Sequence, residues 1–214
     1  MNNWKETAAD KAQLLSPANA FFNPSAIKAG DIIGFSGEGT TGDIINLGTY
    51  GIPRWNICHV GIMGEVKDDR MLLFESTTLD ELPCEIAGVR FDGTQAHKLD
   101  TVLQRYRGKV WHYPLYRPLY AFERQRLTDF LMGTIGVPYG KMDAIRSADF
   151  MGLSMFESLL RESDLRFIFC SEWVAASHAY VGIWPTTNAG RWNPNRLVRY
   201  LRSRGVIYKA RRLK

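Results

Sequence analysis

The chain has 214 residues, 45% hydrophobic and 23% charged, which is enough for one substantial core and tight for two full domains. Lys and Arg outnumber Asp and Glu by 27 to 22, and no run approaches the roughly 18–20 apolar residues needed to cross a bilayer. Three cysteines in unrelated contexts argue against a disulfide framework, and the polar start Met1-Asn2-Asn3-Trp4-Lys5-Glu6 does not read as a signal peptide, so the expected setting is the cytoplasm, or a virion for a phage product.

Residues 1–27 read as a polar, partly helical N-terminal arm. Lys28-Ala29-Gly30-Asp31 then opens the apolar run Ile32-Ile33-Gly34-Phe35, a short strand by composition. After a glycine-rich loop, Thr41 can cap a short helix carrying Asp43, Ile44, Ile45 and Leu47. Ile57-Cys58-His59-Val60-Gly61-Ile62-Met63 and Met71-Leu72-Leu73-Phe74-Glu75-Ser76, joined by a charged turn, predict an antiparallel hairpin. Val89-Arg90-Phe91 and Lys109–Leu115 are further strand candidates, the latter stopped by Pro114.

Helical spacing takes over from Ala121 to Ile135 and ends in Gly136-Val137-Pro138-Tyr139-Gly140. Residues 143–162 read as a helical insertion. Phe167-Ile168-Phe169-Cys170 leads into a helix through Glu172, Val174, Ala175, Ala176 and Ala179 that closes near Gly182. Asn193-Pro194 supplies a cap and an N1 proline for a last helix, Leu197 to Leu201. Gly205-Val206-Ile207-Tyr208 reads as a final strand, and residues 209–214 as a basic tail that suits an anionic surface. No nucleic-acid motif accompanies that tail. The class predicted is α+β, an antiparallel sheet packed against helices, with the core domain over residues 28–208.

Cys170 is placed at a helix start, where the dipole and free N–H groups favour a thiolate and can hold an oxyanion. His59 stands in an otherwise apolar strand, and Glu75 stands as oddly in the next one. Burying a carboxylate is costly unless it is paired, and facing each other across the hairpin would satisfy both groups. The carboxylate would fix the imidazole tautomer and leave one ring nitrogen to take a thiol proton, the logic of a nucleophile, base and orienter. Cys58 adjoins His59, but strand alternation turns neighbours to opposite faces. Cys84 lies in a loop without a histidine nearby. His59, His97, His112 and His178 show no ligand spacing and no CxxC or HExxH occurs, so neither a metal nor a cofactor is expected.

The succession Ala29-Gly30-Asp31-Ile32-Ile33, Cys58-His59-Val60-Gly61-Ile62, Phe74-Glu75-Ser76, Gly136-Val137-Pro138-Tyr139-Gly140, Phe169-Cys170-Ser171-Glu172 and Asn193-Pro194-Asn195-Arg196-Leu197 resembles the permuted branch of the NlpC-type papain-like superfamily. That branch holds YiiX-like proteins and relatives of lecithin retinol acyltransferase. The resemblance spans roughly residues 28–208 and implies a circularly permuted papain-like fold with Cys170, His59 and Glu75 as its catalytic residues. It implies substrate contacts at Tyr139 and Ser171. The expected activity is a cysteine hydrolase opening an amide bond of the cell-wall peptide type. Rival expectations are a deacylase or acyltransferase acting on a lipid-derived amide or ester, and a non-catalytic binding or virion-structural protein that keeps the fold.

Overall fold

The computed structural model describes residues 26–36, 57–78, 81–138, 169–184 and 192–214. The expected short helix at Thr41, the 143–162 helix, Tyr139 and nearly all of the N-terminal arm lie outside the described residues.

Among the described residues the elements run β1 (Ile32–Ser36), β2 (His59–Val66), β3 (Arg70–Thr77), β4 (Gly93–His97), α1 (Leu99–Arg105), β5 (Lys109–Tyr113), α2 (Ala121–Gly133), α3 (Phe169–Val181), α4 (Pro194–Ser203) and β6 (Arg211–Arg212). The six strands form one sheet in the order β4-β3-β2-β1-β5-β6 with every neighbour antiparallel. This is the α+β arrangement that the apolar runs predict. The expected hairpin is β2–β3, turned by the single helical turn Lys67–Asp69.

Alternation along β1 assigns the two faces. Ile32 joins Val60, Ile62 and Phe74 in the larger core, under Leu127 and Leu131 of α2, Trp173 and Val174 of α3, and Leu197 and Leu201 of α4. Ile33 and Phe35 point the other way and pack with Met63, Leu73 and Val110 against Leu99 and Val102 of α1. Fully burying each such side chain contributes about 1.5–3 kcal/mol, so both faces hold the sheet in place. Gly64 lets α2 lie close on the sheet, because a Cβ there would collide with Leu131 and the Phe74 ring. Gly182 at φ 86° ends α3, where a side chain would be strained.

The start of β1 is tied by buried polar contacts. The Asp31 carboxylate accepts from His112 Nε2 at 2.7 Å, Leu115 N at 2.8 Å and Lys28 N at 2.9 Å. His178 of α3 donates to the Gly30 carbonyl at 3.1 Å, and burial pushes its pKa down to about 4, so it stays neutral. Two of the four histidines therefore bind the framework together.

The structure departs from the expected elements in three places. Val89-Arg90-Phe91 forms no strand; the strand is Gly93–His97, a polar stretch that pairs with β3 and buries Thr94, Gln95 and His97. The seven-residue α1 is too short to announce itself by periodicity. Gly205–Tyr208 makes a single bridge, Ile207 to Leu115, and the ladder resumes only at Arg211–Arg212. Pro114 supplies no N–H, although its carbonyl accepts from Tyr208 N at 2.8 Å. The basic tail is therefore laid along the sheet edge.

Candidate active site

His59 is the first residue of β2 and Glu75 lies near the end of β3, so the hairpin brings them to the same end of the sheet. His59 Nε2 donates to Glu75 Oε2 at 2.8 Å. A carboxylate only accepts, so Nε2 carries the proton and Nδ1 is the ring nitrogen left for the thiol. That thiol is Cys170, the second residue of α3, buried and within hydrogen-bonding reach of the His59 ring. The helix delivers it because its buried residues Trp173, Val174, Ala176 and Val181 seat α3 on the sheet.

The electrostatics favour a charged pair. Burial by itself would push the Cys170 thiol up, but the neighbouring His59 charge, a hydrogen bond with that ring and the N–H groups of Val60 and Ser171 outweigh it, and the thiol sits below its ordinary value. Burial would likewise lower His59, yet the Cys170 charge and hydrogen bond, with those of Glu75, raise it well above 6.5. The ring remains 22% exposed, so solvent reaches it. Burial would raise Glu75, and hydrogen bonds from His59 and His97 bring it down to about 2.

His97 is the member that sequence reading missed. Its Nδ1 donates to the second Glu75 oxygen, Oε1, at 3.1 Å, while its Nε2 is buried without a partner among the described residues. The carboxylate thus sits between two imidazoles. Thr94-Gln95-Ala96-His97 carries no hydrophobic period to mark it as a strand, so the sequence offered no signal for it.

Comparison with known proteins adds little. No protein-family model matches the chain, and no curated protein matches it. The fold is similar to the crystal structure of the metalloprotein YiiX from Escherichia coli O157:H7 at 17% identity and a TM-score of 0.44, over 72% of this chain and 66% of that one. That likeness is coarse, and the site stands on its own geometry.

The other expected residues fall as follows. The Ser171 hydroxyl is buried and donates to the Trp192 carbonyl, and its backbone N–H points to the thiol. Cys58 Sγ lies 3.3 Å from the Phe35 carbonyl and 4.0 Å from the Tyr106 hydroxyl. Cys84 is buried and accepts from Ala96 N at 3.4 Å, a framework contact. Among the described residues no three or more His, Cys, Asp or Glu side chains are grouped as a metal ion would need. A cavity of about 510 Å³ reaches His59, Glu75 and His97 between Phe35, Leu82, Val102 and Tyr106, with Glu81, Arg105 and Arg107 also lining it.

One buried group stands outside this network. Glu172, two residues after the thiol, has both oxygens buried without a partner among the described residues, and burial pushes it up to about 8. At neutral pH it holds its proton and sets no negative charge beside the thiolate.

Proposed function

We propose that the chain is a thiol hydrolase of circularly permuted papain-like architecture that opens an amide bond of the peptide type. The observation that carries this reading is the His59 ring held by Glu75 at 2.8 Å through Nε2 and interacting with the buried Cys170 thiol at the start of α3.

In this reading the Cys170 thiolate attacks the carbonyl carbon and its π electrons move to oxygen. Main-chain N–H groups at the α3 start favour that negative charge. The intermediate collapses as protonated His59 gives its proton to the departing amine, leaving a thioester on Cys170. Neutral His59 then takes a proton from water, whose oxygen attacks the thioester. Collapse releases the acid and restores the thiolate–imidazolium pair. Glu75 stays ionised throughout and supports the imidazolium.

Alkylation of each cysteine against pH, followed peptide by peptide, tests the pair. Cys170 should react below its ordinary pKa of 9.0 and lose that advantage in His59→Ala. A panel of peptide amides and acyl esters then tests the chemistry, with the acyl adduct on Cys170 detected by mass. An unreactive Cys170 that ignores the loss of His59 would sink the reading in favour of a binding protein.

A further inference from the structure

The C-terminal part of the domain carries charge of one sign only. Residues 192–214 contain eight Lys and Arg and no Asp or Glu. The structure lays them out as a fixed array. α4 turns Leu197, Val198 and Leu201 inward, so Arg196, Arg199 and Arg202 follow one another on its exposed side at i, i+3 and i+6. Like charges at that spacing repel, and this segment has no carboxylate to offset them. The chain then runs along the β5 edge, where Arg204, Lys209, Arg211 and Arg212 are also exposed.

Two tyrosines meet where this segment crosses the turn after β5. Tyr116 N donates to the Val206 carbonyl at 2.9 Å, and the Tyr116 and Tyr208 rings lie 4.9 Å apart. The same turn continues to Tyr120 and Phe122, whose rings stack at 10° with centroids 6.0 Å apart. Tyr116 is 56% exposed and Phe122 55%. Glu123, the nearest carboxylate on this turn, is buried and held by Arg117 at 2.6 and 2.7 Å, so it does not cancel the cations.

We infer that this edge is a docking surface for an anionic phospholipid membrane, with the cations on headgroup phosphates and the aromatic turn in the interfacial layer. Arginine and lysine beside exposed Tyr and Phe are the combination that suits a headgroup boundary, one end wet and one apolar. Nucleic acid fits less well. The Tyr120 ring lies parallel to Phe122 and carries the Arg117 guanidinium 4.5 Å over it, whereas bases need open faces on which to stack. Among the described residues no helix is long and apolar enough to cross a membrane, so the contact is peripheral. The inference is independent of the thiol chemistry.

The test is co-sedimentation of the full chain, carried as Cys170→Ala so that turnover plays no part. Vesicles of phosphatidylcholine alone are compared with vesicles of phosphatidylcholine mixed with phosphatidylglycerol. Binding should require phosphatidylglycerol and weaken as salt is raised. Replacing Arg199 and Arg202 together by Gln should weaken it about 25-fold, at about fivefold per cation. Tyr120→Ser with Phe122→Ser should weaken it while the salt dependence persists. Circular dichroism checks the fold of each variant, and the lipid and salt dependence of the parent chain needs no variant at all. Equal binding to both vesicles, or to neither, overturns the inference. Tighter binding to duplex DNA or RNA than to phosphatidylglycerol, untouched by the aromatic change, overturns it in favour of nucleic acid.

Discussion

Glu75→Gln separates the charge of the orienting carboxylate from its shape. Glu75 is 8% exposed and its carboxyl lies at about 2, against an ordinary value of 4.5. The gap is about 2.5 pH units, which at about 1.36 kcal/mol per unit amounts to about 3 kcal/mol. Because the folded value is depressed, that stability is present in full above pH 4.5 and is lost as the pH falls toward 2. The raised pKa of His59 comes first from Cys170 and then from this same Glu75 interaction, so the two shifts are not added. Glutamine keeps the volume, its oxygen can accept from His59 Nε2 and its NH2 can donate to His97 Nδ1 once that ring carries its proton on Nε2, but it carries no charge. Urea unfolding across the acid range should therefore show a steep loss of stability in the parent chain between pH 4.5 and 2, and a flatter one in Glu75→Gln. Without the carboxylate, His59 falls and the Cys170 thiol rises, so its alkylation midpoint should move up toward 9.0. Parallel acid profiles for the two proteins, with an unmoved Cys170 midpoint, would refute the reasoning.

His97→Leu should raise the Glu75 carboxyl by about one pH unit, because a hydrogen bond to a charged group is lost. The acid limb of stability should shift upward with it, and His97→Asn, which restores a donor near Nδ1, should bring it back. Glu172→Gln should grow more stable relative to the parent as pH rises from 4.5 to 8, since the folded chain holds a proton that the unfolded chain releases. At about 1.36 kcal/mol per unit the difference reaches about 4–5 kcal/mol by pH 8, and denaturant titration at several pH values measures it. Cys170→Ala should abolish turnover of any amide or ester substrate with the fold intact, whereas Cys58→Ala should be nearly silent in the same assay; equal losses would undo the assignment of the nucleophile.

The elements legible in the amino-acid sequence are those with a strong period or a clear stop. The β2–β3 hairpin was legible because two apolar runs flank a charged turn, and α4 because Asn193 and Pro194 mark its start: the Asn193 side chain caps Arg196 N at 2.8 Å. His59 and Glu75 were conspicuous because each interrupts an apolar run, and an unpaired charge there would be costly. Local pattern could not place His97, whose strand is polar and becomes a strand only because β3 offers it a ladder. Nor could it show that Ser171 turns its hydroxyl to Trp192, or that the basic tail is pinned along β5. These contacts join segments far apart in the chain. Their existence depends on loop closure and on the packing of α3 and α4 against the sheet, and neither leaves a period in the sequence for a reader to find.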